Sequence, residues 1–581
     1  MTKNIKRIPY GVSDFEKMQN NNLYYVDKTK YIPMLEQSPF YIFLIRPRRF
    51  GKSLWVSVLE NYYDINKKDR FEDIFRDTWI GKNPTDERNS YLILKFNFSM
   101  VNPDIRFVDE SFEDTGDAVL EDFLLRYTQF FSKTEREEIL LLEKTDSRLK
   151  RILLQAARKK LKIFLIIDEY DNFANTILST AGEKAYHELT HGPGFFRYFF
   201  NILKGGTSQD DSGLSRLFIT GVSPVTMDDV TSGFNIGENI SLDDAFCDLL
   251  GLDEEEVTAM LNYYKDEGLI KPNIDFCMNI MKQWYNKYRF SRNLVKKVFN
   301  SDMVLYFIKE LIKGNRIPYN LIDQNIRIDY NKLRHLMLID QKLNGNFSDL
   351  KSIIETGETI SNINLSFPLE NLKNRENFIS LLFYFGLLSF KGTFEGEPLL
   401  GIPNMTVKKL MYGYIRDAFH DVDIFRLNLR EFSGNIRKMA YRGQWQPVFE
   451  FLSEEVKKQT SIRDYLEGEK VIQGFLLAYL NITDFFLTRT EQETGKGFCD
   501  LWLEPFLARF PDMPFGYLIE LKYIARGEFT DALLKKKINK AKEQLNQYGN
   551  DDRVKKIAEQ VTVKKVVLVY KGWELVHLEE V

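Results

Sequence analysis

The chain is poor in the residues from which metal sites and disulfides are most often built, with three cysteines and five histidines in 581 residues. Cys247, Cys277 and Cys499 lie far apart, with no C-x-x-C pair and few histidines near them. Neither a zinc site nor a disulfide framework is indicated, and a reducing compartment fits. No apolar run approaches the about eighteen residues of a membrane span. The start, MTKNIKRIPYGVSDFEK, has no apolar stretch behind its basic residues and does not read as a secretory signal. A cytoplasmic location with no membrane partner is therefore expected. The net charge of −3 excludes a protein coated in positive charge for nucleic acid, while leaving room for a local basic groove.

What is present is the composition of a soluble globular protein, 44% hydrophobic and 28% charged. The length is too great for one core and points to three or four domains. The first part alternates β-rich runs with helical stretches, as a parallel sheet with crossover helices does. The runs are YIFLI (41–45), YLILKFNFS (91–99), KIFLIID (162–168) and RLFITG (216–221). From about Glu110 to Lys160 a charged helical stretch reads as a long crossover or an inserted helical hairpin. From about Asp243 the chain turns almost wholly helical, as a lid packed on the sheet would. From about Asn315 to Asp421 it runs through a helix, two strands and a helix, the order of a winged helix. Past Phe425, helices lead into GFCDLWLEP and GYLIELKYI as strands, a helix over TDALLKKKINKAKEQLNQYG, and the strand KKVVLVY.

A phosphate loop surrounds an anion with backbone N–H groups at a helix N-terminus, adds the charge of a lysine and places a hydroxyl on magnesium. FLIRPRRFGKSL (43–54) follows that plan. An apolar strand runs into Arg46, Pro47, Arg48, Arg49, Phe50 and Gly51, then Lys52 and Ser53 supply the charge and the metal ligand as a helix opens through Leu54. Arg46 stands where the first glycine of G-x-x-x-x-G-K-[ST] would be. Arg46, Arg48 and Arg49 have three readings, as phosphate contacts, as fingers acting on a neighbouring subunit, or as a solvated basic turn. The second half of the site is IFLIIDEYD, a buried strand delivering Asp168 and Glu169 at its carboxyl end. Asp168 would hold Mg²⁺, directly or through water, and Glu169 would polarise the attacking water. Thr220, at the end of a third strand, would either sense the terminal phosphate or satisfy local backbone.

A second constellation lies near the C-terminus. Hydrolysis of a phosphodiester by divalent metal needs two acids converging on one point with a cation nearby. GKGFCDLW offers Asp500, and YLIELKY offers Glu520 and Lys522, which alternation places on one face of a strand. Burying a glutamate and a lysine in an apolar strand is costly unless they pair or ligate something. The competing reading is a structural ion pair across the sheet.

Taken in order, YYVDKT, FLIRPRRFGKSL, LIIDEYD, TGVSPVTMDDVTSGFN, QWYNKYRF and IPN resemble the AAA-ATPase-like family of bacterial proteins, whose members commonly carry a C-terminal PD-(D/E)XK nuclease-superfamily domain. In that family R-P-R-R-F-G-K-S is the usual loop, so Arg46 fits the pattern. Three positions depart from it: Lys287 replaces the usual glycine of YNKYRF, LGLDEEEV lacks a typical phenylalanine, and Phe498 replaces the arginine of G-R-x-D. Gln544 and Tyr548 resemble the Q-x-x-x-Y helix of the exonuclease branch. Glu469 begins the helix on which the superfamily often places an acidic metal ligand, and a charge favoured by the helix dipole is the alternative.

The resemblance implies an α/β multidomain protein. Its expected parts are a P-loop AAA-like ATPase domain (1–242), a helical lid (243–314), a winged-helix-like region (315–424) and a restriction-endonuclease-like nuclease domain (425–581). ATP and Mg²⁺ are the implied cofactors, nucleic acid (DNA, or else RNA) the implied partner, and a homo-oligomer is compatible with it. The expected function is ATP hydrolysis coupled to a Mg²⁺-dependent nuclease. The alternative is a nucleotide-operated switch or scaffold that binds nucleic acid or protein without cutting.

Overall fold

Apolar runs without polar alternation form strands that are buried on both faces, the condition of a parallel sheet. The computed structural model describes residues 5–191, 194–207, 213–226, 237–323, 325–326, 338–339, 342–343, 345–421, 424–490, 499–549 and 551–581. Residues 227–235 of TGVSPVTMDDVTSGFN and Phe498 lie outside them. The chain divides into two compact units, Met1–Leu333 with Ile360–Met405, and Arg334–Thr359 with Thr406–Val581. The helices expected as a lid lie in the first unit with the sheet, and the expected 315–424 region is divided between the units.

In the first unit β1 (Tyr41–Ile45), β2 (Leu92–Asn97), β3 (Ile163–Asp168), β4 (Leu214–Gly221) and β5 (Glu238–Asn239) form a parallel sheet in the order β2-β3-β4-β1-β5. β1 runs through the loop 46–51 into helix α1 (Lys52–Tyr63). Register brings Ile45 beside Gly221 and Asp168 beside Asn97, so the loop, the end of β3 and the end of β4 share the carboxyl edge of the sheet. That edge is where open α/β sheets bind ligands. The charged stretch between β2 and β3 forms three helices, Val108–Arg126, Lys133–Leu140 and Thr145–Arg158. Helices Glu254–Asp266, Ile274–Tyr285 and Ser301–Gly314 follow the sheet.

Further along, the helix Arg375–Tyr384 precedes β6 (Ser389–Phe394) and β7 (Glu397–Gly401), an antiparallel hairpin, and the helix Met405–Asp421 follows. Helix, hairpin and helix occur in the expected order. The hairpin turns on Glu395 and Gly396, both at positive φ, the requirement of a two-residue turn that matches strand twist.

The second unit holds a mixed sheet in the order β8 (Phe486–Arg489), β9 (Leu501–Pro505), β10 (Phe515–Ile524), β11 (Thr562–Lys571) and β12 (Glu574–Glu580). All pairs are antiparallel except β10 with β11. Helix α2 (Glu469–Leu480) precedes the sheet and α3 (Asp531–Tyr548) links β10 to β11. Leu518, Ile524, Val567 and Val569 form a core with Ala541, Leu545 and Tyr548 of α3. By strand alternation Glu520 and Lys522 share the face that α3 covers.

Lys287 explains why glycine is usual at its position in the related family: its φ is +75°, a left-handed conformation that strains a residue with a Cβ. The Asn286 side chain accepts the Lys287 N–H at 2.6 Å and holds the turn. Tyr288 and Phe290, just beyond it, pack edge-on against Phe50 of the loop. Lys287→Gly is expected to raise stability by about 0.5–1 kcal/mol, read from urea midpoints at unchanged slope. A lower midpoint would show that the lysine side chain contributes more than its backbone costs.

Candidate active sites

The first site begins at Gly51, which caps α1 at φ +98°. Only glycine adopts this freely, and it lets the chain turn from the loop straight into the helix. The buried Lys52 ammonium donates to the carbonyls of Arg46 and Pro47, each at 3.0 Å, so the loop closes around its own lysine. Burial pushes the Lys52 pKa down, while Glu169, Asp168 and Asp171 pull it up.

The Ser53 hydroxyl stands near enough to Asp168, at the end of β3, to hold its pKa down. Asp168 is 2% exposed, and its Oδ1 is buried without a hydrogen-bond partner. Burial raises its pKa, with Ser53 and Lys52 opposing and Glu169 reinforcing the shift. An unpartnered buried carboxylate oxygen costs about 1–3 kcal/mol. A hydroxyl and a carboxylate beside a phosphate loop form an oxygen donor set suited to Mg²⁺, so these residues fit that ion.

Glu169 sits at φ +52°, lines the cavity, and accepts a hydrogen bond from the Asn172 amide. Asp171 was given no role by the sequence, yet it is buried and accepts the backbone N–H groups of Val222 (3.1 Å) and Ser223 (2.5 Å). It thereby ties the end of β4 to the end of β3. The D-x-x-D spacing of Asp168 and Asp171 was the available signal. Gly221 permits the approach, because a Cβ there would stand 2.4 Å from the Tyr170 ring.

The cavity beside the loop measures about 420 Å³. Its polar wall is Arg48 to Ser53 with Glu169, and Val12, Tyr25, Leu250, Leu252 and Met260 supply an apolar wall. Its volume lies in the range of small-molecule sites.

The three arginines separate. Arg46 is turned into the protein: its guanidinium donates to the carbonyls of Ser241, Phe246 (3.3 Å) and Ile45 (3.2 Å) and lies 4.3 Å from the Phe290 ring centroid. Burial pushes its pKa down to about 10. The reading of Arg46 as a phosphate contact is corrected accordingly, since its guanidinium is buried against the carbonyls of Ile45, Ser241 and Phe246. Neither Arg46 nor Pro47 lines the cavity, and Pro47 contributes its carbonyl to Lys52. Arg49 pairs with Asp302 at 3.1 Å, and Arg48 lines the cavity. Phe50 is buried, and its carbonyl accepts from Gly251 N–H at 3.0 Å. Leu54 lines the cavity in the first turn of α1. Thr220 is buried and donates to the Leu44 carbonyl at 2.9 Å.

In the second unit the antiparallel register pairing Leu501 with Ile519 sets Asp500 opposite Glu520. Asp500 Oδ2 accepts the Leu521 N–H at 2.8 Å, and Asp500 N–H points to Glu520 Oε2 at 3.4 Å. The Lys522 ammonium lies 2.5 Å from Glu520 Oε1 and 3.8 Å from Asp500 Oδ2. All three side chains are buried. Burial raises the pKa of Asp500, with Lys522 and the Leu521 N–H opposing and Glu469 reinforcing. Glu520 is raised by burial and by Asp500, against the pull of Lys522. Two buried acids against one ammonium leave a net negative charge, which favours a bound cation.

Glu469 joins the group, its carboxylate accepting the Tyr523 N–H at 3.2 Å. Gln473, one turn further along α2, donates to the Asp500 carbonyl while its Oε1 is buried without a partner. The sequence offered no sign of this beyond a polar residue in an apolar helix. Gln544 and Tyr548 meet on the inner face of α3, where the Gln544 amide donates to the Tyr548 hydroxyl at 3.2 Å. Past the ends of β10 and β11 the guanidinium groups of Arg463 and Arg526 lie 4.4 and 4.9 Å from the Trp573 ring centroid.

Comparison with known proteins separates the same two regions. Residues 9–231 match the family described as predicted AAA-ATPase, and residues 467–580 match the PD-(D/E)XK nuclease superfamily. An uncharacterized protein in the vnfD 5′ region of Azotobacter chroococcum mcd 1 is 26% identical over 309 residues, 52% of each chain. The chain thus spans about half the length of that relative. Among solved structures, Cdc6p from Pyrobaculum aerophilum is 10% identical with a TM-score of 0.25, covering 65% of this chain and 87% of that one. The ORC2 protein of Aeropyrum pernix is 10% identical with a TM-score of 0.30, covering 68% and 93%. At these scores neither structure bears on fold or function.

Because burial keeps protons on Asp500 and Glu520 to higher pH, a cation bound there displaces them and binds more tightly as pH rises. Without metal the sign for stability is opposite. Between the ordinary carboxylate range and the raised values the native state holds more protons than the unfolded chain, so unfolding free energy falls as pH rises. The Mn²⁺ affinity that Asp500→Ala abolishes is expected to be at least about tenfold greater at about pH 8 than at about pH 5.5, by calorimetric titration. An affinity flat across that range would remove these acids from the ligand set.

Proposed function

We propose that this chain, which joins an AAA-ATPase-like domain to a PD-(D/E)XK nuclease-superfamily domain, is an ATP-hydrolysing protein whose C-terminal unit cuts nucleic acid, with DNA as the first substrate. The observation that carries the reading is the convergence of Asp500, Glu520 and Lys522 on one buried point of a sheet.

In the first unit the loop N–H groups and Lys52 bind the phosphates, with Arg48 at the cavity wall serving the nucleotide of its own chain. Ser53 and Asp168 would hold Mg²⁺, which supplies charge neutralisation at the phosphates when bound. Glu169, held by Asn172, orients the attacking water. In the second unit Asp500 and Glu520, with Glu469, would hold the divalent ion that stabilises charge on the scissile phosphate. Lys522 stands beside both acids, where it orients the nucleophilic water. Gln473 positions Asp500 through its carbonyl. Arg463, Arg526 and Trp573, with the exposed Lys535, Lys536 and Lys540 of α3, offer cationic and aromatic groups for a phosphate backbone.

Linear and circular DNA incubated with the purified chain, with ATP and Mg²⁺ present or withheld, tests the assignment. Lys52→Ala is expected to abolish ATP turnover. Asp500→Ala is expected to lower cleavage by at least about two orders of magnitude while ATP turnover stays within about twofold. Cleavage that survives Asp500→Ala would falsify the site. DNA binding without product in the unaltered protein would return the C-terminal unit to the role of a switch.

A further inference from the structure

Two of the five histidines in the chain lie four residues apart, at the C-terminal end of the helix Asn172–Thr190. His187 occupies the last turn and His191 caps it, with its N–H on the His187 carbonyl at 3.0 Å. The two Nδ1 atoms face each other at 3.1 Å, and the ring centroids are 4.4 Å apart. Both Nε2 atoms stand 3.5 Å from the same oxygen, Oε1 of Glu370, on the short helical turn Leu369–Lys373. Nothing in the phosphate chemistry of either candidate site uses these three residues.

We propose that His187 and His191 chelate a divalent transition-metal ion of the zinc class through their facing Nδ1 atoms, with Glu370 as the outer carboxylate that receives both Nε2–H groups.

The argument is one of proton accounting. A neutral imidazole carries a single N–H, and the nitrogen without it is the one that ligates. With Glu370 opposite both Nε2 atoms, Nε2–H on both rings turns two lone pairs toward each other across 3.1 Å, whereas without a metal one Nδ1–H closes that gap as a hydrogen bond. Two lone pairs at that distance repel unless a proton or a metal lies between them. Tetrahedral zinc with Zn–N bonds of about 2.0–2.1 Å separates its ligand atoms by about 3.3 Å, close to the observed spacing. A carboxylate accepting the distal N–H of a ligating histidine is the usual outer partner of such a site and fixes the tautomer. The Thr190 hydroxyl, which donates to the Tyr186 carbonyl at 2.9 Å, keeps its oxygen 2.9 Å from His191 Nδ1 on the same side, and solvent completes the coordination because His187, His191 and Glu370 are partly exposed. Burial disfavours the protonated form of His191, and so do the nearby His187 and Arg197, with Glu370 opposing. The hard oxygen sets at Asp168 and Asp500 suit Mg²⁺, whereas this pair of nitrogens selects a softer ion. A metal here would tie the helix that follows Asp168 and Glu169 to the segment at Leu369–Lys373, both in the first unit.

The full chain carrying Asp500→Ala, which removes competition from the C-terminal acids, is titrated with Zn²⁺ against a chromophoric chelator. It is expected to bind one more equivalent than the same chain with His187→Gln and His191→Gln. Glu370→Gln is expected to weaken that equivalent by about 10–100-fold. Equal stoichiometry in the parent and the double variant overturns the proposal. A readout on the unaltered chain guards against misfolding of the variants: carbethoxylation of histidines, mapped by mass spectrometry, is expected to fall at His187 and His191 when Zn²⁺ is added. Labelling of both that is indifferent to Zn²⁺ overturns it as well.

Discussion

An ionised side chain taken from water into a strand-lined interior costs several kcal/mol even after relaxation. This chain makes that commitment in both of its units. Lys52 and Asp168 in one, and Asp500, Glu520 and Lys522 in the other, are all buried among apolar strands. Each group is tolerated because something compensates it: loop carbonyls around Lys52, a serine hydroxyl at Asp168, a backbone N–H at Asp500, and an ammonium against Glu520. The compensation is incomplete at Asp168, where one oxygen has no partner. It is incomplete again at the two C-terminal acids, whose proton affinity is raised. Ligand chemistry belongs where compensation is incomplete, because a bound cation then gains what the fold alone cannot supply.

The arginine-rich loop shows how such a site is braced. Its first arginine replaces the conformational freedom of a glycine with a set of fixed contacts. Arg46 reaches three backbone carbonyls and one aromatic face, so the start of the loop is held to the residues that follow β5. Phe50 does the same toward Tyr288 and Phe290. The loop keeps its shape through side chains anchored behind it, and residues 48–53 are left to line the cavity.

The strands and the two principal constellations were legible because they rest on local rules. Apolar runs mark buried strands, and Gly-Lys-Ser after a strand or acids at a strand end are read without knowing what packs nearby. Contacts across long separations were not legible. Whether Arg46 faces solvent or the interior depends on Ser241 and Phe246, about two hundred residues away. Asp171 acts on backbone amides fifty residues downstream, and Gln473 on a carbonyl in a later strand. β8 and β12 were not anticipated, since ELVHLEE mixes charge into its alternation and FLTR is short. The lysine at position 287 was visible as a departure from a related pattern, and only its dihedral angle says what the departure costs.

The two constellations differ in what carries them. Glu520 and Lys522 stand on the central strand of a five-stranded sheet, within a parallel ladder that pairs Phe515 to Ile524 with Thr562 to Lys571. Displacing them requires disrupting that ladder or the core beneath it, so their spacing is set before any ligand arrives. The first constellation rests on a loop and on strand ends, where side-chain contacts fix the geometry. One centre is held by a ladder of backbone bonds, the other by side chains anchored behind a loop. A substitution in the core beneath β10 therefore disturbs the C-terminal acids through the whole sheet, whereas one at Arg46 or Phe50 disturbs the loop alone.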